Sequence, residues 1–127
     1  MSLAQLIDEL NPQQKNAATT EAKHSLVLAG AGCGKTKTIV ARAAYLIDQG
    51  VPANQIQILT FTRRAAAEIV ARVELALGEQ AKGLRASTFH TFCMYLLRRI
   101  PKAFGLEQFS IIDRDDQALP IHQIEIA

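Results

Sequence analysis

The eight residues Ala29-Gly30-Ala31-Gly32-Cys33-Gly34-Lys35-Thr36 restrict what this chain can fold into more than any other stretch. An apolar run, Leu26-Val27-Leu28, leads into them, and an amphipathic helical pattern from Thr38 to Gln49 follows. A buried strand over Ser25 to Ala29, a glycine-rich turn and a helix are therefore expected in that order. Gly30, Gly32 and Gly34 would let the backbone curl with its N–H groups inward, in conformations closed to larger residues. The helix start adds unpaired N–H groups and a partial positive charge. Lys35 supplies a full positive charge for the outer phosphates of a nucleotide, and the Thr36 hydroxyl suits Mg²⁺. This is the P-loop, or Walker A, pattern, with Ala29 where its strict form has a first glycine. A plain turn between strand and helix would leave the Lys-Thr pair unexplained.

A chain of 127 residues has room for one domain and one core. With aromatics at 6% and no Trp, that core must come mostly from Ala, Ile, Leu and Val. No apolar run approaches the roughly 20 residues that span a bilayer, and the N-terminus lacks a basic-then-apolar signal. A cytoplasmic protein with no membrane partner is the expectation. Cys33 and Cys93 have no metal-ligand spacing, so neither a disulfide framework nor a zinc site is expected. The net charge of +2 hides an asymmetry. Residues 61–105 hold eight Lys/Arg against three Asp/Glu, whereas residues 106–127 hold one against five. A basic middle third points to a polyanionic partner.

Along the chain, Leu3, Leu6, Ile7 and Leu10 mark a first helix, and Ser2 and Gln5 have capping-box spacing. Asn11-Pro12-Gln13-Gln14 starts a second helix to about Ala18, with Asn11 as N-cap and Gln14 as its reciprocal partner. On local pattern alone Gln14 is a capping side chain. The helix after the glycine turn puts Ile39, Ala43, Leu46 and Ile47 inward and stops at Gly50 and Pro52. Gln55 to Thr60 reads as a second strand. Thr62 caps a helix from Arg63 to about Leu77, with Ala66, Ile69, Val73, Ala76 and Leu77 inward. Arg85 to Ser87 reads as a third strand, and Thr88 or Phe89 opens a helix that Pro101 ends, with Phe92, Tyr95, Leu96 and Leu97 apolar. Strand–helix repeated three times predicts an α/β fold, a mostly parallel sheet flanked by helices. Ligands of such sheets sit at the strands' carboxyl ends. The glycine turn, Thr60-Phe61-Thr62 and Ser87-Thr88-Phe89-His90 all lie there. Beyond Gly105, Phe109 to Ile112 could be a strand and Asp113 to Asp116 a turn or helix start. The apolar ending from Leu119 to Ala127 has no stop signal and reads like a chain cut mid-structure.

Leu10-Asn11-Pro12-Gln13-Gln14, the glycine turn, Thr60-Phe61-Thr62-Arg63-Arg64-Ala65-Ala66-Ala67-Glu68, Thr88-Phe89-His90 and Ile112-Asp113-Arg114-Asp115-Asp116-Gln117 occur in a set order. That order and spacing resemble UvrD/Rep-type superfamily 1 DNA helicases, from Leu10 to Gln117. The resemblance implies a P-loop NTPase (RecA-like) fold, here incomplete. Residues 1–92 would form the N-terminal part of the ATP-binding motor domain, and 93–127 the start of an inserted helical subdomain. It implies ATP and Mg²⁺ as cofactors, with Gln14 reading adenine by its amide. Ala29, Gly30, Ala31, Gly32, Cys33, Gly34 and Lys35 would hold phosphates, Thr36 the metal, and Lys37 would lie near the base. Lys35 and Thr36 would be the catalytic pair. Thr60, Phe61, Thr62, Arg63 and Arg64, with Thr88, Phe89 and His90, resemble the two segments that contact single-stranded DNA. Phe61 is available there to stack or to pack, and His90 also has the plainer reading of a satisfied polar residue at a strand end.

Departures from the family pattern are informative. Cys33 replaces a usual Ser, where any small side chain suffices. Lys37 replaces a frequent Arg, which keeps charge but loses a planar stacking surface. Arg63-Arg64 stands where Asn-Lys is common and favours phosphate contact. No acidic pair follows an apolar strand, and Asp115-Asp116 after Arg114 is a poor substitute. The parent is thus expected to be an ATP-driven helicase moving on single-stranded DNA, and this chain its N-terminal piece, inactive alone without the second motor domain. The strands that family members place between the glycine-turn strand and the Thr60 strand would be missing. Apolar edges should be exposed, and self-association or rearrangement is expected. Two other readings compete. One is a different P-loop NTPase, which would carry an Arg-rich lid and need neither Thr-Phe-Thr nor Thr-Phe-His. The other is a stand-alone regulator binding nucleotide or DNA.

Overall fold

The computed structural model describes residues 2–32 and 34–105. Five α-helices and two strands run in the order α1 (Leu3–Asp8), α2 (Pro12–Thr19), α3 (Lys35–Asp48), β1 (Gln57–Thr60), α4 (Arg63–Leu77), β2 (Arg85–Thr88) and α5 (Phe89–Arg99). Short 3₁₀ turns at Ala53–Gln55, Gly78–Ala81 and Pro101–Phe104 join or follow them. The chain divides into two compact units at Phe92/Cys93. The described part of the second holds the end of α5 and the 3₁₀ turn closed by Gly105.

Helix starts follow the side-chain chemistry of the sequence. Ser2 and Gln5 form a capping box on α1, and Asn11 and Gln14 form one on α2 with Pro12 at the first helical position. Thr62 caps α4, accepting from the Ala65 N–H at 3.1 Å. The stripe Ala66, Ile69, Val73 on α4 is buried, at the spacing of one helical face. It packs with Val40, Ala43, Ala44 and Ile47 of α3, Ile58 of β1, Leu6 of α1, and Ala53, Ala81 and Leu84 of the connections. Burying Val73 completely contributes about 1.5–3 kcal/mol. A smaller cluster of Leu10, Ala18 and Ala41 ties α1 and α2 to α3.

β1 and β2 pair in parallel through the α4 crossover, with Gln57 opposite Arg85 and Thr60 opposite Thr88. The fold is α/β, as the strand–helix alternation predicts, but it differs in one place. Ser25 to Ala29 does not form a strand, and the sheet among the described residues has two strands rather than three. Leu26 and Leu28 are 85% and 87% exposed. A strand exists only through a neighbour that accepts its ladder hydrogen bonds, and no described segment provides one. Ile39, expected inward on α3, is 40% exposed for the same reason, because it faces the open side beside this segment. Tyr95 is likewise more exposed than its apolar stripe predicts. The proposed elements after Gly105 lie outside the described residues. No described helix is long and apolar enough to cross a membrane.

Candidate functional site

The glycine turn delivers the chain into α3 at Lys35, three residues before the helical pattern begins. Gly32 and Gly34 have φ of 75° and 73°, which side-chain-bearing residues rarely adopt, so the turn requires glycine at both. Gly30 does not share this property, since its φ is outside the positive region. Gly34 is the N-cap of α3 and provides no side-chain hydrogen bond to it. The contrast with α1, α2 and α4, each closed by Ser, Asn or Thr, is direct. The positive end of α3 carries no side-chain cap from Gly34 and no acidic residue in its first turn.

Lys35, Thr36 and Lys37 are exposed at this helix start. Lys35 lines a cavity of about 720 Å³ together with Asn11, Gln14, Ala29, Gly30 and Thr38. That volume is in the range of small-molecule sites. Its other wall is apolar, from Val27, Leu28, Ile39, Leu46, Ile56 and Ile58. Thr36 is not among the lining residues, and neither is Lys37. Lys37 Nζ lies 4.0 Å from the Glu9 carboxylate of α1, both half exposed, a pairing worth well under about 1 kcal/mol in water. The structure thus brings Gln14 to the turn and leaves Lys37 at the edge. Gln14 remains a capping side chain: its N–H donates to Asn11 Oδ1 at 2.8 Å, and its Oε1 accepts from the Asn11 N–H at 2.9 Å. The same side chain also reaches the turn, since a methyl group on Gly34 would stand 2.5 Å from Gln14 Nε2.

Sequence reasoning passed over Arg42. Its Nη1 donates to the Ala18 and Thr20 carbonyls at 3.1 and 2.6 Å, which holds the end of α2 against α3 and so holds Gln14 beside the turn. The available signal was a charged residue interrupting the apolar face of Ile39, Ala43 and Leu46.

A second candidate surface forms where β1 and β2 end side by side. Register places Thr60 opposite Thr88, so the two segments that follow are neighbours. Phe61 is 92% exposed, and its ring lies 5.7 Å from that of Phe89, inclined at 38°. A phenylalanine this exposed offers an apolar face to whatever binds there. The threonine hydroxyls have structural partners. Thr60 Oγ1 donates to the Thr62 carbonyl at 2.8 Å, Thr62 caps α4, and Thr88 Oγ1 accepts from the Thr91 N–H at 3.3 Å at the start of α5. Arg63 and Arg64 are the first residues of α4, both exposed, and no acidic residue shares that turn. Glu68, one turn on, pairs instead with Arg72 at 2.6 Å. Two cations at a helix N-terminus oppose its dipole by about 0.3–1 kcal/mol each, a cost that a bound anion removes. Arg63 also borders a groove of about 410 Å³ with Ala67, Val70, Ala86 and Thr88. His90 is exposed in the first turn of α5.

Among the described residues no group of three His, Cys, Asp or Glu is arranged to hold a metal ion.

A family model described as the UvrD/REP helicase N-terminal domain matches residues 10–125. The chain is 41% identical over 121 residues to the ATP-dependent DNA helicase PcrA of Staphylococcus epidermidis, covering 94% of this chain and 17% of that protein. It is 46% identical over 115 residues to the ATP-dependent DNA helicase UvrD1 of Mycobacterium bovis, covering 88% of this chain and 15% of that one. PcrA of Staphylococcus aureus is 39% identical over 121 residues. The chain therefore spans about one sixth of the length of the relatives it matches.

Proposed function

The chain belongs to the UvrD/Rep helicase family, and from that premise we propose that it is the N-terminal ATP-binding segment of an ATP-dependent DNA helicase that moves on single-stranded DNA. The observation that carries this reading is the convergence of Gln14, Ala29, Gly30 and Lys35 on one cavity, beside a helix start with no side-chain cap. In this reading the turn is a phosphate cradle within an incomplete RecA-like motor domain over residues 1–92. Residues 93–127 begin an inserted helical subdomain. The N–H groups of α3 and the Lys35 ammonium hold the phosphates, Thr36 supplies a hydroxyl to Mg²⁺, and Gln14 addresses the adenine. Lys37, directed to Glu9, has a minor part. ATP, when bound, supplies the phosphoryl group whose hydrolysis drives movement. Lys35 and Thr36 are the residues of this chain that touch it.

Single-stranded DNA lies on the second surface. Phe61 and Phe89 offer aromatic faces to bases, Arg63 and Arg64 neutralise phosphates, and His90 flanks the path. The setting is the cytoplasm, where such an enzyme meets DNA. The isolated chain binds without turning over ATP, because phosphoryl transfer also needs a positioned water and a transition-state cation from further motor elements. Exposed Leu26, Val27 and Leu28 favour self-association when those elements are absent. The test is fluorescence titration with a labelled ATP and with oligo(dT) in Mg²⁺. Lys35→Ala should remove the first and spare the second, while Arg63→Ala with Arg64→Ala should do the reverse. Loss of both ligands in either variant, with the fold intact, would refute two separate surfaces.

A further inference from the structure

One side chain joins the α2 capping box to the glycine turn. Gln14 is held at two points by Asn11, through its backbone N–H at 2.8 Å and its Oε1 at 2.9 Å. With Oε1 engaged by the helix start, the other end of the amide faces the turn, and Nε2 stands where a methyl on Gly34 would come within 2.5 Å. Gly34 is the residue with φ 73° on which α3 begins. A glutamine terminus ordinarily gives way to a neighbour at little cost. One whose oxygen completes a helix cap must break that cap to do so. Arg42 adds to the restraint by fixing the far end of α2 to α3.

We propose that Gln14 is a positioning residue for the glycine turn. Held by Asn11, it packs against Gly34 and fixes the backbone from which the first N–H groups of α3 point. The Gln14 half of the α2 capping box, its Oε1 on the Asn11 backbone N–H, thereby sets the phosphate-binding geometry of α3, and the Asn11 side chain does not. This rests on the nucleotide reading above and gives Gln14 a task on the phosphates that is separate from contact with a base. The two tasks part on an inorganic polyphosphate, which carries the phosphates and no base.

The experiment uses the full 127-residue chain with Mg²⁺ and tripolyphosphate or ATP, read by calorimetry, and ligand-free amide resonances, read by NMR. Gln14→Ala should shift the Gly34 and Lys35 amides without ligand and weaken tripolyphosphate about tenfold, the loss expected for a misplaced charge-assisted hydrogen bond. Asn11→Ala weakens the same cap while keeping the Gln14 side chain and the Asn11 N–H. It should lower the melting temperature comparably and leave tripolyphosphate affinity within about twofold. If Gln14→Ala fails to fold, Gln14→Glu, which keeps the cap acceptor, should still shift the Gly34 amide. The proposal is overturned if the Gly34 and Lys35 amides do not move. It is also overturned if Gln14→Ala weakens ATP alone, or if Asn11→Ala weakens tripolyphosphate as much as Gln14→Ala. A wild-type chain that binds neither ligand refutes the nucleotide reading instead, and the ligand-free amides then decide by themselves whether Gln14 sets the turn.

Discussion

The two candidate surfaces are built on opposite principles. At the β1–β2 rim the local partners are in hand: strand pairs with strand, Thr62 and Thr88 close the helix starts, and α4 buries a continuous stripe. Beside the glycine turn, the lead-in segment has no ladder partner among the described residues, α3 has no side-chain cap, and one wall of the cavity is exposed apolar surface. The rim is finished by local β–α contacts. The turn is left open among the described residues, with a helix start that has no side-chain cap and an apolar wall facing solvent. Local interactions can complete a binding edge within about 30 residues, whereas a central strand depends on neighbours distant in sequence.

This contrast can be broken by substitution. The largest effect should be on the finished side: Val73→Ala, at a fully buried position, should cost about 2 kcal/mol in urea unfolding by lost burial and a residual cavity. A cost near zero would mean that α4 is not the anchor of the rim. Next, Thr62→Ala should cost about 1 kcal/mol through loss of the α4 cap, and should disturb DNA binding more than ATP binding. Arg63→Ala with Arg64→Ala should leave unfolding within about 0.5 kcal/mol. It should flatten the plot of log affinity for oligo(dT) against log salt by roughly 1.4, two phosphate contacts' worth. An unchanged slope would place the DNA elsewhere. The smallest effect belongs to the unfinished side. Leu28→Ser should change stability by less than about 0.5 kcal/mol, since the side chain is already in water, while reducing any concentration-dependent light scattering. A stability loss comparable to that of Val73→Ala would show that the segment is packed after all.

Much of this was legible in the sequence because it is local. The α4 limits, both capping boxes and the Thr62 cap follow from side chains a few residues apart. The parallel pairing of β1 and β2 follows from their α4 crossover. What was not legible depends on distant partners. Leu26-Val27-Leu28 has the composition of a buried strand, yet strand status belongs to a pair, and the pair is not formed among the described residues. Ile39 has a core-facing position on α3 yet is 40% exposed among the described residues. The Arg42 link to the α2 carbonyls bridges more than 20 residues and leaves only a weak trace in pattern. Gly30 looked equivalent to Gly32 and Gly34, and only the backbone distinguishes them. At the candidate site, the Asn11–Gln14 cap was readable, but the approach of Gln14 to Gly34 was not.

The central claim is that the glycine turn is a nucleotide phosphate site completed by Lys35. Its most direct test is a titration of the wild-type chain and of Lys35→Ala with Mg²⁺·ATP, followed by amide resonances. In the wild type, shifts should concentrate at Gly30, Gly32, Gly34 and Lys35. In the variant, affinity should fall by about 10- to 100-fold, the worth of one charged contact to phosphate, with the fold unchanged. Shifts confined to the rim around Phe61 and Phe89, or equal affinity in the variant, would contradict it.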